Sequence, residues 1–147
     1  MSIAINKKAL FDYEILEKLE AGLVLTGQEV KSVKNGQINL KGSYVTLKDG
    51  EAYLLNAHIS PYKKAGILKD YNPTRSRKLL LHKKELTRLI GKSQEKGLTI
   101  IPLKVYTKGR GKIKIEIGIG RGKKKYEKRE TIKKREVERE IRQKMKE

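Results

Sequence analysis

Cysteine and tryptophan are absent from this 147-residue chain, phenylalanine occurs once, histidine twice and proline three times. Without cysteine there are no disulfides and no thiolate metal ligands, a composition that suits a cytoplasmic protein. No window approaches the roughly 18 apolar residues of a membrane span. The N-terminus also lacks a long apolar run, so neither anchor nor signal peptide is expected. Signatures of catalysis are equally thin. No Gly-x-x-x-x-Gly-Lys-Ser/Thr loop occurs, and the glycine-rich stretch Gly118 to Gly122 ends a strand-like segment. His58 and His82 sit beside apolar runs without helical metal spacing, and Asp12, Asp49 and Asp70 are scattered, poor material for a two-metal nuclease. The expectation is a non-enzymatic protein without cofactor or metal.

What the chain has is positive charge. Its 36 Lys/Arg against 17 Asp/Glu leave a formal net charge of +19 and a pI near 10.0, which predicts attraction to phosphate backbones. The charge is spread over two regions. Residues 121–147 hold thirteen Lys/Arg and six Asp/Glu, a net +7, with too few aliphatic side chains to build a core. Residues 1–120 carry the remaining +12 and most of the apolar residues, so one folded body with a basic tail is the economical count.

The body reads as mainly β. Phe11, Tyr13, Ile15 and Leu19 alternate with polar residues as in a half-buried strand. Thr26-Gly27-Gln28-Glu29 has the spacing of a capping box, which predicts a short helix stopped at Asn35-Gly36. Residues 43–48 and 51–59 form two strands around an Asp49-Gly50 turn, with Tyr53, Leu55, Ala57 and Ile59 facing inward. Residues 63–77 read as a loop, 78–81 as a short buried segment, and 83–92 as a helix with Leu86, Leu89 and Ile90 on one stripe. Residues 98–106, bulged or edge-placed at Pro102, return through Gly109-Arg110-Gly111 into a strand where Ile113, Ile115, Ile117 and Ile119 alternate with polar residues. Short strands with two or three short helices fit a small closed β-barrel of oligonucleotide-binding topology.

The densest polar cluster, Tyr71 to Lys78, mixes an aromatic with Arg75, Arg77 and Lys78, a combination suited to stacking and phosphate contact in RNA. In the tail, Glu130 and Lys134, Glu138 and Arg142, and Glu140 and Lys144 are spaced for helical ion pairs. The apolar line Ile132, Val137, Ile141 and Met145 is thin, so the tail is expected to be disordered alone and helical on a partner.

These residues resemble the SsrA-binding protein (small protein B) family of bacterial trans-translation. The resemblance runs through Glu20-Ala-Gly-Leu-Val-Leu-Thr-Gly-Gln-Glu-Val-Lys-Ser32, Gly42-Ser-Tyr-Val45, Asn72-Pro-Thr-Arg75, Arg77-Lys-Leu-Leu-Leu81 and Gly122-Lys-Lys-Lys-Tyr-Glu-Lys-Arg129. It implies a body that binds the tRNA-like domain of transfer-messenger RNA through Glu20, Leu80 and Lys114, with Arg75, Arg77, Lys78 and Tyr71 assisting. It also implies a tail that occupies the decoding centre and empty mRNA channel of a stalled ribosome, led by Lys123, Lys124, Tyr126, Glu127, Lys128 and Arg129. The family commonly has Asp-Lys-Arg where this chain has Glu127-Lys128-Arg129, and His also occurs where Tyr126 stands. The alternative from the residues alone is a ribosomal or general single-strand RNA-binding protein.

Overall fold

The computed structural model describes residues 2–62 and 70–146, of which 125–127, 131 and 144–146 by backbone only. Part of the expected loop at 63–77, residues 63–69, lies outside the described residues. Seven strands form one antiparallel sheet in the order β1 (Ser2–Ile5), β8 (Leu98–Lys108), β9 (Lys112–Gly122), β2 (Tyr13–Leu23), β7 (Arg77–Leu80), β5 (Glu51–Leu55) and β4 (Tyr44–Lys48). β3 (Ile38–Asn39) and β6 (His58–Ile59) pair separately. Among the described residues there are four helices: α1 (Lys7–Asp12), α2 (Gly27–Lys34), α3 (Lys83–Ser93) and α4 (Lys125–Lys146).

Both expected hairpins form. Asp49 and Gly50 take φ of 52° and 73°, which lets β4 turn directly into β5, and Gly109 and Gly111 bend β8 into β9 with positive φ. On β9, Ile115, Ile117 and Ile119 are buried, as the isoleucine alternation predicts, and they join Leu54, Leu79, Leu89 and Val105 in one core. The inward set on β5 differs from expectation. Ala52 and Leu54 are fully buried while Tyr53 and Leu55 are half-buried on the other face. Asn56 explains this, because its φ of 63° breaks the alternation and returns Ala57 and Ile59 to the core. Phe11 also departs from expectation: it belongs to α1, whose start is capped by Asn6.

The sheet curls around its core without closing. β4 lies beside β8, yet no ladder among the described residues joins them, so the closed barrel is replaced by an open seam. Over residues 102–106 β8's outer edge is already occupied. β1 pairs with it at residues 104–106, the Asn6 N–H donates to Leu103 O at 2.7 Å, and Asn6 Nδ2 donates to Pro102 O at 2.9 Å. Pro102 has no N–H to offer, and a bulge follows between Pro102 and Lys104. A cleft of about 370 Å³ lined by α1, residues 41–44 and residues 99–101 marks the seam.

α2 is fastened by a single carboxylate. Thr26 and Glu29 complete the predicted capping box, with Thr26 N–H donating to Glu29 Oε1 at 3.0 Å and Glu29 N–H donating to Thr26 Oγ1 at 3.2 Å. The same carboxylate, wholly buried, accepts from Arg77 Nε at 2.7 Å, from Arg75 Nε at 3.2 Å and from a further Arg75 nitrogen. Burial pushes the Glu29 carboxyl up, but the bonds from Arg75, Thr26 and Arg77 outweigh it and hold it below the ordinary carboxylate range.

Removing one partner of such a pair strands a buried charge. Glu29→Ala is therefore expected to lower stability by about 3–5 kcal/mol in urea unfolding. Because the folded carboxyl titrates below the unfolded value of about 4.3, its stabilisation is complete above that pH and is lost as pH falls through the folded value. Wild-type stability should thus fall on acidification below about pH 4 more steeply than that of Glu29→Gln.

Candidate nucleic-acid interface

β2 alternates half-buried odd positions with exposed even ones, so its outward face carries Glu14, Leu16, Lys18 and Glu20. Two residues beyond Glu20, Gly22 pairs with Leu80 of β7 on one side and with Lys114 of β9 on the other. Lys114 in turn pairs with Tyr106 of β8. Leu80, Gly22, Lys114 and Tyr106 therefore form one row across four strands. Gly22 is where the row needs a missing side chain, since a Cβ there would come 3.2 Å from Leu80 Cβ. Leu80 is 54% exposed, which corrects the expectation that residues 78–81 are buried throughout. Leu79 faces the core, and a four-residue strand must send its neighbour outward.

Glu20 reaches over β9 to this row. Its carboxylate accepts from the Tyr106 hydroxyl and from Lys108 Nζ at 3.1 Å, and these two bonds hold it below the ordinary carboxylate range. Glu116 pairs with Glu20 across the ladder, a like-charge juxtaposition eased by Lys18 and Lys104, each 3.9 Å from it. Lys104 Nζ also lies 5.5 Å from the Tyr106 ring centroid. Lys78, two positions before Leu80 on the same face, bonds Glu51 Oε1 at 2.8 Å, and that carboxylate also accepts from Tyr53.

The structure separates the other expected contacts from this face. Arg77 has no exposed side-chain surface, correcting its assignment as a surface cation. All of its N–H groups are engaged internally, by Glu29, Ala57 O, Arg75 O, Pro73 O and the Tyr71 hydroxyl. Tyr71, expected to be a stacking platform, is half-buried with its hydroxyl donated to Ile59 O at 2.7 Å. Arg75 keeps a third of its side chain exposed while its guanidinium is held by Glu29. From the sequence Tyr106 reads as an in-strand tyrosine of the core, and nothing there singles out Lys108 or Gly22. The position of Tyr106 was still within reach of the sequence, since a turn at 109–111 already sets it opposite Lys114.

The tail root lies at the far end of the same strands. Tyr13 pairs with Gly122, nine residues along β2 from Gly22, or roughly 30 Å at 3.3 Å per residue. There the Lys123 N–H donates to Asp12 O at 2.8 Å, and Lys128 Nζ sits 3.2 Å from Asp12 Oδ1. Lys128 and Arg135 both lie over the Phe11 ring, at 5.9 and 5.7 Å from its centroid. Lys124 and Arg129 are exposed, and the side chains of Tyr126 and Glu127 lie outside the described residues. Among the described residues no helix is long and apolar enough to cross a membrane, and no group of His, Cys, Asp or Glu could hold a metal ion.

A basic antiparallel sheet with an outward row of apolar, aromatic and cationic side chains has the build of a nucleic-acid-binding β domain. The family model described as SmpB protein matches residues 3–147. An SsrA-binding protein of Sulfurihydrogenibium is 58% identical over 139 residues, covering 95% of this chain and 90% of the relative. That of Caldicellulosiruptor bescii is 57% identical over 145 residues, 99% of this chain and 90% of the relative, and that of Enterococcus faecalis is 51% identical over 139 residues, 95% and 89%. A solved structure described as "tmRNA-SmpB: a journey to the center of the bacterial ribosome" superposes with a TM-score of 0.69 at 51% identity, covering 83% of this chain and 85% of that one. The chain belongs to the SmpB, or SsrA-binding protein, family.

Tyr106 supplies a direct check on this face. Burial first, then the bond to Glu20 and the nearby charge of Glu116, raise its phenol above the ordinary tyrosine range. Glu20→Gln removes one negative neighbour, so Tyr106 should ionise at lower pH than in the wild type. The shift is read from the pH dependence of the Tyr106 ring-carbon NMR signal, and an unchanged titration would rule out the bond.

Proposed function

We propose that the protein binds transfer-messenger RNA and serves trans-translation in the cytoplasm, the body recognising the tRNA-like domain and the tail entering the decoding centre and empty mRNA channel of a stalled ribosome. The observation that carries this reading is the row of Leu80, Gly22 and Lys114, in which Leu80 is exposed and Lys114 half-buried, with Glu20 beside it, in a chain of the SsrA-binding family. Leu80 offers an apolar surface to the RNA and Lys114 a cation to its phosphates, with Lys78 and the exposed part of Arg75 as flanking positive charge. The single core beneath a curled sheet supports an oligonucleotide-binding topology with its seam left open. The protein acts by binding and catalyses no reaction.

The spacing of the two regions supports a division of labour. A row and a tail root at opposite ends of β2 let one RNA be held while the tail projects from the other end. α4 spans 22 residues, about 33 Å at 1.5 Å per residue, long enough to line a channel. Its apolar side chains Ile132, Val137 and Ile141 are 43–53% exposed, so in free solution the helix frays beyond its root and gains stability from the ribosome.

A structured tRNA-like RNA should outcompete an unstructured RNA of equal length for the protein, and parity would leave a general RNA-binding protein as the reading. Leu80→Asp is expected to weaken binding on the order of tenfold or more. Lys114→Ala should lower the salt slope by about 1 unit, the loss of one phosphate contact. Truncation after Gly122, which keeps the Tyr13–Gly122 pair, should preserve binding of the tRNA-like RNA while abolishing tagging on stalled ribosomes. Loss of both activities would refute the division.

A further inference from the structure

Glu20 is an anomaly on a surface meant for a polyanion: an exposed carboxylate facing phosphates is repelled by them. Its geometry resolves the anomaly. Neither carboxylate oxygen is left to face outward alone, since Tyr106 donates to one and Lys108 Nζ lies 3.1 Å from the other. The bond to Tyr106 crosses β9, two strand spacings or about 9.6 Å of sheet. The ladder does not need it, because β2, β9 and β8 are already paired residue by residue here. Exposed polar bridges of this kind contribute little to stability. What the bridge does is fix an aromatic ring directly beside Lys114, in the row that also contains Leu80.

We propose that Tyr106 is itself an RNA-contacting residue, offering its ring to a nucleobase of the tRNA-like RNA, and that Glu20 is a positioning residue acting through it. This rests on the function proposed above and deepens it. Glu20 pins the hydroxyl so that the ring's conformational entropy is spent before binding, Lys108 neutralises the carboxylate, and Lys104 supplies positive charge at the ring. These four residues form one device with Lys114, in which the exposed carboxylate of the acidic member is engaged by Tyr106 and Lys108.

The test measures binding of a tRNA-like RNA to wild type, Glu20→Ala, Tyr106→Phe, Tyr106→Leu and the two double variants, with thermal midpoints as the control for folding. Glu20→Ala and Tyr106→Phe should each weaken binding by about 2- to 10-fold, the cost of ordering one freed side chain on binding. Combined, they should be no worse than either alone. In the Glu20→Ala background Tyr106→Leu should still weaken binding, by about 5- to 100-fold, because the stacking face is gone. Multiplicative losses for Glu20→Ala with Tyr106→Phe, or a silent Tyr106→Phe, would mean that Glu20 touches RNA directly and would overturn the proposal. So would a silent Tyr106→Leu in that background, which would leave Tyr106 merely orienting Glu20. If Tyr106→Leu fails to fold, a shift of the wild-type Tyr106 ring protons on adding RNA decides, and its absence overturns the proposal. Wild-type parity between tRNA-like and unstructured RNA would sink the parent reading and this one together. A wild-type preference with the wrong variant pattern would sink this one alone.

Discussion

The Glu29 carboxylate is the constraint on which the arrangement of the surface depends. It closes the capping box of α2 and holds Arg75 and Arg77, so one buried charge ties a helix, the segment leading from Tyr71 to Ser76, and the start of β7. Arg77 then has no freedom left, its guanidinium being enclosed by carbonyls and the Tyr71 hydroxyl. Fixing Arg77 inward fixes the phase of β7: Leu79 follows it into the core and Lys78 and Leu80 turn to solvent. A buried ion pair of this kind is weak evidence for net stability, because apolar replacements of equal volume often do as well. Its contribution here is to register, since a one-residue slip of β7 would put Arg77 outside and Leu80 inside.

The open seam is the second constraint, and it follows from the N-terminal segment. β1 and Asn6 satisfy the edge of β8 that a closing strand would otherwise need, and α1 then runs along the seam toward the start of β2. α1 thereby becomes the shelf on which the tail root rests, through Asp12 and Phe11. The long β2 and β9 connect that shelf to the Leu80–Lys114 row as one antiparallel ladder, interrupted by a single bulge between Ile15 and Glu17. A ladder of that length is a stiff spacer, so the direction in which the tail leaves is coupled to the orientation of the outward row.

Elements whose signals are local were legible in the sequence. The Asp49-Gly50 turn, the glycines around Arg110, the Thr26–Glu29 box and the isoleucine alternation of β9 each specify geometry within a few residues, and each is found. Elements set by distant partners were not. Near Phe11 the local signal for a short helix is Asn6, whose side chain caps α1 by accepting from the Ala9 N–H, but the alternation of Phe11 with Tyr13 and Ile15 masks it, and the hold of Asn6 on Pro102, 96 residues away, has no sequence signal. Asn56 looks like an ordinary strand residue until its positive φ inverts the phase of β5. The cluster from Tyr71 to Lys78 read as exposed because its composition is basic. Its charges are instead spent on Glu29 and Glu51, two acids that no spacing rule connects to it.

Net charge therefore overstates the positive surface of this segment and says little about where phosphate is met. Of the cations from Arg75 to Lys78, one is wholly buried and the others are held by carboxylates, while Lys114 gains its place through strand register alone. The outward row is correspondingly mixed, with a leucine, a glycine, a lysine and a tyrosine across four strands. A surface of that composition binds through shape and stacking as well as charge, so it can discriminate a folded RNA from a generic polyanion. The tail has the opposite composition, dense charge on a single helix with little apolar surface, and that suits a channel walled by phosphate. On the proposed function, selectivity and electrostatic pull fall to different ends of one ladder, and neither end needs the chemistry of the other.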